Sequence, residues 1–426
     1  MLSSLLSYAG LGGSSGINVG SVEIHDIETA ADKSGRRLKH LLKLNHAQHS
    51  ILYNHLRFHN HSPHILGSAY LLKSDADHLN DVYEDISKHD NLEPWEDSPS
   101  EIAEHDHRDQ LAKRNYQRAW VDFFEDQLVE NGYDWKAVVN KYLFESGDKS
   151  SDAPYPIFDC LVGGLGHPLI HLGYGYELTS REVVMEALGL AATCYDAKIA
   201  SLSTQKPPKH IKNSTTDLLE IFNRVDADKR FDNVFSAPGS TNLTDLLNNP
   251  ELADILMSYF HSWTITDPTK QFTQSQHLAS LLLISTSPHL PSPGHGYDFF
   301  LVHLLTTSHA IRILLPFFPA NTHVRLVKQW FFITLAIYVA QLRPSLLEAG
   351  EAQKSYDLKG RDWTFVRDTA MKGGHKYDAH FVKGCRAMME AAKTWGDKDE
   401  WFLKCAVRFA DEFDGWGGFG TGEVEA

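Results

Sequence analysis

Apolar residues recur at helical spacing along most of this chain, whereas the alternation that marks half-buried strands is scarce. The pattern predicts amphipathic helices over about residues 36–57, 62–72, 106–131, 180–194, 378–395 and 398–413. Two further segments, 299–318 and 324–342, are apolar on nearly every side. His303, His309, Arg312, Arg325, Lys328 and Gln329 interrupt them, which is too polar for a bilayer span, so they are expected as core helices. Turn-forming runs separate these elements at 145–156, 203–217, 285–298 and 344–363. No fixed-length repeat is visible. The expectation is an all-α protein with one large multi-helix domain over residues 36–413 and a buried metal site between its helices. A loosely structured segment at 1–35 and a flexible tail at 414–426 flank it.

Composition narrows the partners. Of the 426 residues 42% are hydrophobic and 22% charged, and the formal net charge of −15 gives a field that repels phosphate backbones, so no nucleic acid is expected. The first residues, MLSSLLSYAGLGG, lack the basic start of a secretory signal, and the expected location is cytoplasmic, with no membrane partner. Cys160, Cys194, Cys385 and Cys405 stand singly, which indicates neither a disulfide framework nor a thiolate zinc site. The oligomeric state is not readable.

Histidine changes the picture. There are 24, and several sit inside apolar segments where an imidazole needs a partner. In FHNHSPHILGSAYLL, Ser62 suits an N-cap and Pro63 the first helical position, which puts His64 in the first turn with Gly67 and Ser68 beyond it. Small residues there leave a void that a metal or substrate would fill; the alternative is a helix-packing notch. His167 precedes Pro168 at another helix start, and His171 follows on the same face, so the two are spaced to chelate one ion. Glu177 closes that segment as a carboxylate ligand, a partner of an imidazole or a surface charge. His303, Thr306 and Ala310 share a stripe of the next helix, and His309 points elsewhere. Asp378 is placed as an N-cap, with His380, Lys383, Gly384 and Ala387 on one face. A cationic Lys383 beside a metal would be repelled, so it points away, loses its proton or becomes an anionic carbamate by reaction with carbon dioxide.

Two patterns are set aside. Gly415, Gly417 and Gly420 match GxGxxG, but no strand-to-helix unit surrounds them. His107 and Asp109 have facial-triad spacing, yet they lie in a charged run that suits a solvated face. HExxH and GxxxxGK[ST] are missing.

Four segments, HNHSPHILGSAYLL (59–72), HPLIHLGYGYEL (167–178), YDFFLVHLLTTSHAIR (297–312) and DAHFVKG (378–384), together resemble the questin oxidase-like family of fungal secondary metabolism. The resemblance implies oxidative opening of a ring in an aromatic polyketide, of anthraquinone type, often described as a Baeyer–Villiger-type oxidation. Flavin fingerprints are missing, so a metal that activates dioxygen is expected instead, and nitrogen ligands suit non-haem Fe(II). On this reading His64, His167, His303 and His380 are ligands, His171 is a reserve ligand, and Lys383 or Glu177 supplies the anion. His59 and His61 lie outside the ligand set or near substrate, while Tyr174 and Thr306 bond a substrate hydroxyl. NADPH is a possible external reductant. The competing readings are an NADPH-dependent Baeyer–Villiger-type oxidase with no recognisable flavin site, a zinc hydrolase or lyase on the same histidines, and a binding protein whose histidines are satisfied in the core.

Overall fold

The computed structural model describes residues 16–20, 22–89, 91–145, 154–290, 294 and 296–420. Nineteen α-helices account for its regular structure among these residues, with one two-stranded antiparallel hairpin, Leu52–Tyr53 against Phe58–His59. The all-α expectation holds. The segment expected as one helix over 36–57 is a helix at Lys33–Gln48 and then this hairpin. Asn54, His55 and Leu56 between the strands take positive φ of 51°, 57° and 65°, a backbone that no helix accepts. Similarly, the predicted 106–131 helix begins only at Gln117, after two short 3₁₀ turns and an Ala112 at φ 68°. His107, in the first turn, donates from Nδ1 to the carbonyl of Glu104.

Four helices surround the centre of the molecule: Ser62–Leu71, His167–Leu178, Phe299–Leu314 and Ala379–Trp395. Phe299–Leu314 packs on both His167–Leu178 and Ala379–Trp395, and Ser62–Leu71 closes the ring against the same two. The first three are so apolar that most of their residues are buried, and each carries its histidines inward. Local chemistry fixes their starts. Asp298 Oδ1 accepts from the backbone N–H of Phe300 (2.7 Å) and Leu301 (3.0 Å), and Asp378 Oδ1 accepts from His380 (2.8 Å) and Phe381 (2.9 Å). Three more helices, Lys33–Gln48, Gln117–Glu130 and Arg181–Thr193, pack outside this ring.

Residues 1–15 lie outside the described part, as do 421–426. From Gly16 to Ala31 the chain has no helix or strand among its described residues, but Ile17, Val19 and Ile27 are buried in the core. The backbone N–H of His25 donates to Glu177 O and that of Ile27 to Leu178 O, which docks this segment on a site helix. All four cysteines are buried free thiols. No helix among the described residues is long and apolar enough to cross a membrane.

Candidate metal centre

Each of the four central helices delivers one imidazole to a common point. His61 is the N-cap residue of Ser62–Leu71, with φ −92° and ψ 3°, and makes no side-chain cap bond, so its ring is free to turn inward. His167 follows Gly166, whose φ of +77° and lack of Cβ are both required. A Cβ there would lie 2.4 Å from Thr307 Oγ1. His303 and His380 sit one turn or less inside their capped helices. The resulting distances are 2.8 Å from His61 Nε2 to His167 Nε2, 3.3 Å from His167 Nε2 to His303 Nε2, and 3.1 Å from His303 Nε2 to His380 Nε2. All four nitrogens lie within 4.8 Å of one another.

Protonation decides what this cluster is. His167 Nδ1 is 2.6 Å from Gly164 O and His303 Nδ1 is 2.7 Å from Phe299 O, and a carbonyl can only accept. Both Nδ1 atoms therefore carry the proton, and in the neutral rings both Nε2 atoms present bare lone pairs to each other. Burial, the charge of Lys383 and neighbouring imidazoles hold both rings well below their ordinary pKa, so protonating one does not relieve the clash. A cation between them does. Nitrogens about 2.0–2.1 Å from one ion stand roughly 3 Å apart at neighbouring coordination positions, which matches the observed spacing. The Nδ1-to-carbonyl bonds are also the usual outer support of a metal-bound imidazole. The donor set thus fits a divalent transition metal.

A second histidine array lies beside the first. His64 Nε2 is 3.1 Å from His171 Nδ1, His171 Nε2 is 2.8 Å from Glu186 Oε2, Glu186 Oε1 is 2.8 Å from His46 Nδ1, and His46 Nε2 is 2.8 Å from Glu125 Oε1. It runs from fully buried His64 to Glu125, whose side chain is 40% exposed. Burial opposes charge on His46, but its bonds to Glu125 and Glu186 raise it to about 10. Burial would likewise raise Glu186, yet bonds from His171 and His46 hold it down at about 2. His171 then donates from Nε2 to Glu186 and accepts at Nδ1 from His64 Nε2–H. His64 Nδ1 ends the array as a buried lone pair with no partner among the described residues.

The other residues singled out by sequence are placed as follows. The space expected beside Gly67 and Ser68 is filled by Tyr174, which stacks on His64 at 5.3 Å and bonds Ser68 Oγ at 2.5 Å. His59 stacks on His167 at 3.8 Å, and its Nε2 is 3.4 Å from Cys194 Sγ. Glu177 is bound to Arg386. Thr306 Oγ1 donates to Val302 O or His303 O, and the side chain lines a small cavity with Tyr174, Glu177, His309, Lys383 and Arg386. Lys383 Nζ is buried there without a partner among the described residues, and burial pulls its pKa to about 7 despite Asp378. His309, set aside from the sequence, is buried in this cavity wall with neither nitrogen bonded to any described residue. Sequence reasoning did not reach His46 or Glu186; the only signal of Glu186 was a carboxylate inside the otherwise apolar stretch 183–192 of its helix.

A family model described as Questin oxidase-like matches residues 58–388, which takes in all four histidines of the cluster. The chain belongs to the questin oxidase-like family. It is 25% identical over 365 residues to a Baeyer–Villiger oxidase of Pestalotiopsis microspora, covering 82% of this chain and 79% of that one. It is 24% identical over 368 residues to a questin oxidase of Aspergillus terreus, with 82% and 78% covered. A Baeyer–Villiger monooxygenase of Aspergillus aculeatus is 25% identical over 391 residues, with 84% and 78% covered. The names of these questin oxidase-like relatives support an oxidoreductase.

Proposed function

We propose that this protein is a non-haem iron oxygenase that opens a ring of an anthraquinone-type polyketide by dioxygen-dependent cleavage of a carbon–carbon bond. The observation that carries the metal reading is the pair His167 and His303, whose Nε2 lone pairs face each other at 3.3 Å while both Nδ1 protons are held by carbonyls. Oxidation of a polyketide rests on the relatives, which are named as oxidases and monooxygenases of fungi, among them questin oxidases. His61, His167, His303 and His380 hold the ion, with His64 and His171 outside the ligand set and bonded to each other. Iron bound there supplies a redox couple through which dioxygen oxidises the substrate; zinc, which the same donors accept, supplies none.

The remaining side chains exclude water and manage protons. His64 Nδ1 accepts a hydrogen bond from a substrate phenol, and the ionised Glu186, acting through His171, fixes the tautomer that leaves this lone pair free. Lys383 Nζ, unpartnered beside the cavity, is half neutral near pH 7 and reacts with carbon dioxide to give a carbamate and a proton. That anion offsets a divalent charge surrounded by neutral imidazoles. Thr306 Oγ1, whose proton goes to a backbone carbonyl, offers a lone pair to a substrate hydroxyl at the edge of the same cavity. The test is turnover of a hydroxyanthraquinone under air and under strict anaerobiosis. Loss of product without oxygen, with both atoms of ¹⁸O₂ in the ring-opened product, supports a dioxygenase. One labelled atom with NADPH consumed makes the enzyme an externally reduced Baeyer–Villiger-type oxidase. Activity without oxygen makes it a hydrolase or lyase.

A further inference from the structure

The C-terminal segment Asp414–Gly420 does not leave the molecule. It runs back over the start of the Phe299–Leu314 helix, where Gly417 N–H donates to Tyr297 O (2.8 Å) and Phe299 N–H donates to Gly417 O (3.0 Å). Gly418, at φ +94°, lies so close to Asp298 that a Cβ would come within 2.5 Å of its carboxylate. Trp416 is tied separately: its indole N–H donates to Asp378 Oδ2 at 2.7 Å, on the residue that caps the His380 helix. The strap is therefore fastened to the capping residues of two ligand-bearing helices.

Its two aromatic side chains meet the histidine cluster through Phe299. The Phe299 ring is 4.5 Å from His380 and 4.8 Å from His303, Phe419 is 5.1 Å from Phe299, and Trp416 is 6.0 Å from both Phe299 and His380. Phe299 is buried, whereas Trp416 and Phe419 are half-buried and reach solvent. An aromatic layer thus extends from the metal-facing imidazoles to the surface on this side. Glycines at 415, 417, 418 and 420 flank both rings, and only two backbone hydrogen bonds tie Gly417 to its neighbour.

We infer that Trp416 and Phe419, carried on this strap and backed by the buried Phe299, form the face on which a flat polycyclic aromatic substrate stacks as it approaches the His380 side of the cluster. The inference rests on the substrate class proposed above. Stacking needs only an exposed π-face, so the strap sets affinity and orientation for fused rings without taking part in the chemistry. Such a role belongs to a positioning element: KM moves and kcat moves little.

The experiment is equilibrium binding of 1,8-dihydroxyanthraquinone to the full-length protein and its variants, with iron content measured alongside. Trp416→Ala should raise Kd about tenfold and Phe419→Ala by a smaller factor, with iron content unchanged. Trp416→Phe, which keeps a ring and loses the bond to Asp378, should stay within about threefold of the wild type. Wild-type binding with Kd unchanged in both alanine variants overturns the inference alone. A Trp416→Phe variant as weak as Trp416→Ala also overturns it, because the bond to Asp378 would then be what matters. Wild-type protein that binds no hydroxyanthraquinone overturns the substrate class and the inference with it.

Discussion

The two histidine arrays differ in one respect that decides their chemistry. In the His61, His167, His303 and His380 cluster, lone pairs converge, and at least two of them have no proton to offer each other. Along Glu125, His46, Glu186, His171 and His64, donors and acceptors alternate, and every contact of 2.8–3.1 Å is an ordinary hydrogen bond or ion pair. Both arrays have a buried core, and both draw on His-bearing helices. Residue type and burial therefore do not mark a metal centre; the position of the second proton on each ring does.

The largest effect should come from breaking convergence. His167→Ala or His303→Ala should abolish stoichiometric metal binding and lower activity by more than about 100-fold, the upper range for loss of an outer-shell partner alone. Metal analysis with circular dichroism on the same sample checks this. Glu186→Gln attacks the other array and should leave the metal in place. It strands His46 between one carboxylate and an amide, and a broken buried ion pair costs about 3–5 kcal/mol, readable in denaturant melts. Glu125→Gln, at the exposed end, should cost less than about 1 kcal/mol.

The arrays should also separate by pH, measured as thermal melts of metal-depleted protein. His46 is raised to about 10 from 6.5, so its stabilisation is complete below pH 6.5 and is lost as pH rises through 10. Glu186 is lowered to about 2 from 4.5, so its contribution is present above pH 4.5 and fades as pH falls through 2. The cluster works in the opposite sense to His46. Its imidazoles are held neutral by burial and Lys383, so the unfolded chain binds more protons below pH 6.5, and each ring removes about 1.4 kcal/mol per pH unit from there down. His46→Gln should therefore flatten the alkaline limb and, because its bond helps to hold Glu186 down, weaken the Glu186 part of the acid limb while leaving the cluster's part unchanged. The smallest effect belongs to His309, which is buried, bonded to nothing described and in neither array. His309→Leu should change stability by no more than about 1 kcal/mol in either direction.

Helix starts were legible because their chemistry is local: Asp298 and Asp378 cap by bonds two and three residues away, and Pro168 follows His167 in a first turn. The pattern pointed to His64 as the ligand and put His61 outside the set, whereas His61 is the ring that joins the cluster. Periodicity orients residues inside a helix, and an N-cap residue at φ −92°, ψ 3° lies outside that rule. His46 reads as one more polar residue on an amphipathic helix, and only the packing of three helices gives it two carboxylates. Trp416 and Phe419 lay in a run expected as a tail, since glycine spacing does not reveal a strap whose partners are more than 30 residues away in sequence. Local physics thus wrote the elements, and long-range packing chose which histidines meet.

The account's central claim is that one transition-metal ion sits where four imidazoles converge. Elemental analysis of protein purified without added metal, for the wild type and for His303→Ala, tests it most directly. The account predicts about one equivalent of iron per chain in the wild type, and a folded His303→Ala protein with almost none. Wild-type protein free of any transition metal and still active, or a His303→Ala protein that keeps its full equivalent, would contradict it.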